Sequence, residues 1–554
     1  MPEKMRRRRF LHLSAAALAA PAVVLSPRSA RQEFDILIRN GLVYDGLSNS
    51  PTAADIGIAQ GRIARIGTLA GARARLVIDA RERIVCPGFI DIHSHSEDDL
   101  LTDGHAQSKI RQGVTTEILG QDGGSYAPLN DSMFEQMRTS LLDRYNVLPD
   151  WRDFAGFYAR LRTQGIAVNV LSMVGAGTLR EYVVGYADRP AGAKELAAMQ
   201  NLLRQSLRQG ARHLSSGLEY TPGSFAGADE LAGLAAVLGK RGLYSTHMRN
   251  EDDHLLEAVR EAIGIARAAG VRLNISHLKI QGQRNWDKRQ ELFELLGKAR
   301  AQGLQLTCDR YPYVAYNTSL RNLFPLWSRE GEAGRFIERL QDPGVLPKIR
   351  EAVQAKIASL GSWDAVMISH FSANPAFAGK RLGTLAAEHG KAPLDFLIEM
   401  MLLSKGSGGM VGFGMSEENT AAILAWPWCA VASDGSALAA EGLLASGSPH
   451  PRNFGTFPRV LSYYVRERQT FDLATAIRKM TSLPAEIIGL ADRGRLQQGL
   501  PADIVVFDPE QVRDRATFAD PKKYPQGIEQ VIVNGVPVIR DGEHTGARPG
   551  RILA

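Results

Sequence analysis

The spacing of hydrophobic and polar positions changes twice along the chain. From Phe34 to about Cys86, FDILIRNGLVYD, DIGIAQGRIARIG and RLVIDARERIVCP alternate apolar and polar residues with glycine at the turns, as β-hairpins do. The same spacing returns near the other end in GLPADIVVFDP and GIEQVIVNGVPVIRDGE. These flanks predict one small β-sandwich domain built from residues 33–86 and 491–554. Between them lie eight short apolar runs: FIDIHSH, TTEILG, VNVLSMVG, HLSSGL, LYSTHM, LNISHL, LQLTCD and CAVASDG. Helical stretches such as DHLLEAVREAIGIARAAG separate them and end at glycine. Four of the runs begin at 213, 243, 273 and 304, about one strand–helix unit apart. Eight such units predict an α/β fold, a (β/α)8 TIM barrel over residues 87–490, with its chemistry at the C-terminal ends of the strands. The stretch from about 313 to 429 is too long for one unit and holds VMISHF and GMVGFG, which predicts an insertion that shapes a pocket.

Charge and cysteine content narrow the function classes. The 554 residues carry a net charge of +7, which alone would suggest a nucleic-acid partner. Six basic residues against Glu3 fall within the first 30, so the rest of the chain carries only +2 and has no global pull on phosphate backbones. That basic start, RRRRFLHLSAAALAAPAVVL, places arginines before a short Ala/Leu/Val run that is too short to span a bilayer. Arg7-Arg8-Arg9-Phe10-Leu11 resembles the twin-arginine export motif. Residues 1–30 are therefore expected to be a signal peptide engaging the twin-arginine machinery, and the mature protein to be periplasmic without a membrane span. Cys86, Cys308 and Cys429 are too few and too odd in number for a disulfide framework and read as small buried hydrophobes.

The chemistry collects at strand ends. His93 and His95 lie two apart in the first run, so both imidazoles face one way and can chelate one cation. His247 ends the fifth run, His277 the sixth and Asp434 the eighth. Any one could be a satisfied core residue; five ligand-type side chains at four strand mouths point to a metal site. Lys279, two after His277, and Arg249, two after His247, share parity with those histidines and are candidate substrate contacts. His370 in MISHF reads as structural, and the role of His450 and Arg452 in HPR is open.

The arrangement resembles the amidohydrolase superfamily and, more narrowly, the N-acyl-D-amino-acid deacylases or D-aminoacylases. PGFIDIHSH, GVTTEILG, GLEYTPGSFA, YSTHMRNE, NISHLK, CDRYPYVAYNTSL, ASDG, HPRNFGTFPRVL and ATFADPKKYPQGIEQVIVNG carry the resemblance along nearly the whole chain after the N-terminal segment. It implies zinc-dependent hydrolysis of N-acyl-D-amino acids with one or two ions, Lys279 on the substrate carboxylate, and Tyr311, or Tyr313, as a substrate hydrogen-bond donor. Two departures stand out. Where relatives place a cysteine ligand in Gly-Asn-Cys-Gly, this chain has Gly120-Gln121-Asp122-Gly123, so Asp122 takes the thiolate's place as an oxygen donor, with Glu117 the rival bridge. Ala176 stands where relatives often have histidine.

The expected metal ligands are thus His93, His95, Asp122, His247 and His277, with Asp434 the catalytic base. In this reading a metal-activated water attacks the amide while Asp434 takes its proton and passes it to the leaving amine. A dipeptidase or another amidase on the same barrel is the alternative within the enzyme class, and a non-catalytic periplasmic binding protein the alternative outside it.

Overall fold

The structure, a computed structural model, describes residues 33–331 and 333–553; the export segment expected over residues 1–30 lies outside the described residues. Its centre is a ring of eight parallel strands. They are β1 (Phe89–Asp91), β2 (Val114–Leu119), β3 (Asn169–Ser172, resuming as Val174–Gly175) and β4 (Leu214–Gly217), followed by β5 (Leu243–His247), β6 (Arg272–Ile275), β7 (Leu306–Arg310) and β8 (Cys429–Val431). Each pairs with its neighbours in chain order, and a parallel bridge between Ser94 and Gly435 closes β8 onto β1. Each of the eight apolar runs coincides with one of these strands to within a residue or two at its ends, or runs on past its C-terminal end.

The strands are short and almost wholly buried because helices cover their outer face. Inside the ring, Ile90, Ile92, Ile118, Leu171, Met173, Leu243, Ala430 and Ala432 form one cluster closed below by Leu483, Ile487 and Ile488. Burying each large aliphatic chain there contributes roughly 1.5–3 kcal/mol, so the lower barrel is a rigid plug beneath the strand ends. Cys308 and Cys429 face each other in the register of β7 and β8, buried and unbridged; Cys86 is also a buried free thiol.

The two chain ends share one nine-stranded sheet, joined where Ile84–Pro87 runs antiparallel to Ile504–Phe507. The sheet curls over its own core of Ile36, Ile56, Ile58, Ile63, Ile504, Val506 and Ile532. Its far parts meet where the Ile63 N–H donates to the Leu500 carbonyl (2.9 Å). Two hairpin turns touch there: a Cβ on Gly535 (φ +79°) would lie 2.4 Å from the Gly61 Cα, so both positions need glycine.

Between β7 and β8 the chain leaves the barrel to form an antiparallel sheet of Ala315–Ser319, Gly409–Phe413 and Val366–His370. This insertion has its own core, including Phe324, Phe336, Leu397 and Met401. Its strand ends reach over the barrel mouth: Asn317, Thr318, Ser319, Ser369 and His370 all line the cavity above the strand C-termini. Among the described residues, no helix is long and apolar enough to cross a membrane.

Candidate functional site

Three of the side chains at the barrel mouth sit on left-handed backbone: Asp122 (φ +52°), His277 (φ +34°) and Asp434 (φ +49°). Non-glycine residues there carry strain that the surrounding structure must hold in place. For Asp122 the holding is done by packing. A Cβ on Gly175 would lie 2.3 Å from the Gly123 carbonyl oxygen, and one on Gly217 would lie 2.0 Å from that of Asp122. The loop 120–123 thus presses into the bare backbones of β3 and β4. Ser215 pins it further, accepting from the Gly123 N–H (3.1 Å) and donating to the Gly120 carbonyl (2.5 Å).

So placed, the Asp122 carboxylate stands at the centre of four histidines. Oδ1 faces His93 Nε2 at 3.4 Å; Oδ2 faces His277 Nε2 at 3.3 Å and both His247 Nδ1 and His95 Nε2 at 3.6 Å. Asp434 approaches from β8, its Oδ1 3.2 Å from His95 Nε2 and 3.7 Å from His93 Nε2. Burial opposes charge on these groups, but their partners prevail. Facing His93 and His277 hold the Asp122 carboxyl well below the usual range, and Arg452 and His277 do the same for Asp434. The two carboxylates raise His95 to about 9 against the effect of burial, and Glu251 with Asp122 raises His247 to about 10.

The donor set fits a divalent cation. His247 Nδ1 lies 2.9 Å from His277 Nε2, and His93 Nε2 lies 3.3 Å from His95 Nε2. Imidazole lone pairs so close repel unless a proton or a cation lies between them. Asp122 Oδ1 and His93 Nδ1 are buried without a hydrogen-bond partner among the described residues. Two groupings could hold an ion: His93, Asp122, His277 and Asp434, and His247, Glu251 and His277. Four imidazoles and two carboxylates are the donors zinc takes. Glu117, the rival bridge, is turned away. It accepts from Ser94 and Ser96 (2.5 Å) and lies 3.5 Å from the Lys109 ammonium, in a buried network that also holds Asp91.

The sequence reading missed two supporting residues, Asp309 and Glu251, and left open the role of two others, Arg452 and His450. Asp309 at the end of β7 accepts from the His277 N–H (2.8 Å) and lies 3.5 Å from His93 Nδ1, orienting ligands on two strands. Glu251 reaches His277 Nδ1 (3.1 Å) and accepts from Lys279 (2.6 Å). Arg452 donates to Asp434 (2.7 Å). His450 explains the HPR motif: its Nδ1 accepts from the Arg452 N–H (3.0 Å) and its Nε2 donates to the Ala315 carbonyl (2.9 Å), fixing the backbone that carries Arg452. Glu251, His450 and Arg452 lie beyond a strand end, where alternation no longer applies, and Asp309, inside β7, looks like any strand carboxylate.

Lys279 lines the cavity. Tyr311 is fully buried against the cations of Arg310 (4.3 Å), Arg452 (5.0 Å) and Lys279 (5.9 Å), and its hydroxyl has no hydrogen-bond partner among the described residues. The expected substrate contact of Arg249 needs correction. Its guanidinium is bidentate with Glu261 (3.0 and 2.9 Å) and donates to the Ser224 and Ala226 carbonyls (2.7 and 2.9 Å), away from the metal-site cavity. β5 ends at His247, so the parity that made Arg249 a neighbour of the histidine is lost after one residue. Ala176 is buried at the start of a helix beside the 120–123 loop, and His370, read as structural, is exposed at the cavity rim. The cavity itself holds about 460 Å3.

Comparison with known proteins gives a consistent picture. The amidohydrolase family profile matches residues 444–539. The chain is 37% identical to a D-aminoacylase of Alcaligenes xylosoxydans xylosoxydans over 95% of its own length and 99% of that protein's. It is 36% identical to an N-acyl-D-aspartate deacylase of the same organism, over 95% and 96%. Among solved structures it is similar to the N-acyl-D-glutamate deacylase of Bordetella bronchiseptica complexed with zinc and a phosphonate mimic of the tetrahedral intermediate. There the TM-score is 0.78 at 34% identity, covering 94% of this chain and 99% of that one.

Proposed function

Because the chain belongs to the amidohydrolase family, alongside the D-aminoacylases and N-acyl-D-amino-acid deacylases, we propose that it hydrolyses the amide bond of N-acyl-D-amino acids, releasing a carboxylate and a free D-amino acid. The observation that carries this reading is the Asp122 carboxylate, set between four histidines with Asp434 facing it in one cavity. His93, His95, Asp122, His247 and His277, with Asp434, would hold zinc, as one ion or two. Such a cation supplies Lewis acidity and an acidified water.

The chain's own residues supply the rest. Asp434 Oδ2 is tied to Arg452 while Oδ1 faces the histidines, so one oxygen is fixed and the other is free to orient the attacking water. Asp434 takes that water's proton and passes it to the departing amide nitrogen. Arg452 keeps Asp434 anionic, as a base must be. Lys279, buried at the cavity wall, gives a fixed cation for the substrate carboxylate, and the unpartnered Tyr311 hydroxyl behind it is available to donate to bound substrate.

The arginine-rich start supports export by the twin-arginine route and a periplasmic location. Arg7→Lys with Arg8→Lys should leave the protein in the cytoplasmic fraction; unchanged periplasmic recovery would contradict the route. The activity is tested with N-acetyl-D-amino acids, their L-enantiomers and dipeptides, offered to zinc-loaded protein lacking residues 1–30. Release of free D-amino acid supports the reading. Cleavage of dipeptides or L-substrates alone would assign the barrel another amidase activity.

A further inference from the structure

The wall of the metal-site cavity that lies across the ring from Lys279 is acidic. The helix Glu97–Thr102 follows β1, and Glu97 Oε1 accepts from the Gly120 N–H just past β2 (2.8 Å), so this helix fills the sector of the mouth between β1 and β2. Lys279 follows β6, on the far side of the ring. Asp98 and Asp99 of the helix both line the metal-site cavity. Asp98 and His95 also line a neighbouring cavity of about 400 Å3, whose wall includes Glu97 and Glu181 and no described lysine or arginine. Four carboxylates therefore gather around the place where the two cavities meet.

Asp99 is 3% exposed, and its carboxylate has no hydrogen-bond or ion-pair partner among the described residues. Burial and the nearby charges of Asp98 and Glu117 push its carboxyl well above the usual range. Lys109 offsets part of this, but that ammonium is held by Asp91 (2.6 Å) and Ser433 (2.7 Å). Asp98 accepts from the Tyr126 hydroxyl, and burial raises it too; the Arg144 cation at the rim favours its charge without forming an ion pair with it. Gln121, on the wall of the neighbouring cavity, donates through Nε2 to the Ile92 carbonyl (2.8 Å), and its Oε1 is buried with no partner among the described residues. The start of a helix favours acidic residues in its first turn, which accounts for the run Glu97-Asp98-Asp99. It does not account for an unpaired Asp99 buried on a cavity wall. A carboxylate in such a place is kept charged by a cation within reach, and an ammonium offers three donors from one compact charge.

Resting on the deacylase reading, we infer that Asp98 and Asp99 form a cation subsite for the acyl group, which selects N-acyl-D-amino acids whose acyl chain ends in an ammonium. With the substrate carboxylate at Lys279 and the scissile amide at Asp122 and Asp434, the amino-acid part occupies the β6 side of the mouth. The acyl group then continues the other way, past His95 and onto the helix Glu97–Thr102. An acyl chain of a few methylenes carries its ammonium to the two aspartates, and the free amine leaves with the acyl product when the amide is hydrolysed.

The test uses zinc-loaded wild type, Asp99→Asn and Asp98→Asn. The charged acyl chains β-alanyl, γ-aminobutanoyl and δ-aminopentanoyl are paired with the neutral chains of equal length, butanoyl, pentanoyl and hexanoyl. All are joined to the D-amino acid whose N-acetyl derivative is cleaved best. Wild type should favour the charged member of at least one pair by about tenfold or more in kcat/KM, and Asp99→Asn should cut that ratio at least about fivefold. The ratio compares two substrates on one protein, so a general loss of folded enzyme cancels. No preference in any pair, or a ratio unchanged in Asp99→Asn, overturns the inference; should that variant not fold, Asp98→Asn decides in the same way. A preference confined to N-acetyl-D-lysine over N-acetyl-D-norleucine also overturns it, because the cation would then sit on the amino-acid arm. Calorimetric titration with γ-aminobutanoate and pentanoate gives a readout free of turnover. If no substrate is cleaved, the deacylase reading fails, but tighter binding of γ-aminobutanoate that weakens in Asp99→Asn still supports the subsite, and equal binding of the two acids overturns it.

Discussion

Arg452 Nη1 donates to Asp434 Oδ2 across 2.7 Å, and both side chains are buried at the barrel mouth. The pair divides the two oxygens of Asp434 between a structural contact and the reaction space. A carboxylate gripped on one side can turn less, so the oxygen facing the histidines keeps one position through turnover. Preorganisation of this kind is where rate is gained.

Asp434→Asn keeps the size of the side chain but removes its basicity. It should lower kcat by about 10²–10⁴-fold. His247, His277 and Asp122 remain, so elemental analysis should still find bound metal. Turnover within about threefold of wild type, with metal bound, would rule out the proton-transfer role.

Below the site, the Lys109 ammonium is buried with Asp91 (2.6 Å), Ser433 (2.7 Å) and the Gly435 carbonyl (3.0 Å), joining β1 to the segment after β8. Lys109→Met strands the Asp91 and Glu117 carboxylates without a cation. Chemical denaturation should show a loss of about 3–5 kcal/mol. A loss below about 1 kcal/mol would mean that water reaches this network.

His213 should make the fold acid-sensitive. Its Nε2 donates to the Ile488 carbonyl (2.8 Å) and its Nδ1 accepts from the Leu243 N–H (3.3 Å), so only the neutral ring satisfies both contacts. Burial, with Arg272 and Arg212 nearby, lowers its pKa to about 4. A depressed histidine resists protonation when folded but not when unfolded. Its contribution is therefore complete above about pH 6.5 and is lost as pH falls towards 4, a change of about 1–3 kcal/mol. Asn is compatible with the positive φ of +67° at this position. His213→Asn should flatten the fall in Tm between pH 7 and 5 relative to wild type; parallel curves would contradict this.

The barrel was legible because its strands are short apolar runs at regular spacing, and the histidines because each closes such a run. Side chains that hold them were not. Asp309 looks like any strand-end carboxylate, and Arg452 meets Asp434 only because a loop carries it back across the mouth. Arg249 shows the limit of the parity argument, which assumed a strand longer than the five residues of β5. The sequence already favoured Asp122 over Glu117 by strand parity, and packing shows why. The glycines of β3 and β4 admit the 120–123 loop, whereas Glu117, still inside β2, is claimed by Lys109 and two serines.

The most direct test of the account is chiral analysis of the amino acid released from a racemic N-acetyl amino acid by the zinc-loaded protein, before and after chelation. The account predicts that only the D-enantiomer appears, that the chelator abolishes its release, and that zinc restores it. Release of the L-enantiomer, or hydrolysis that survives complete removal of metal, would contradict it.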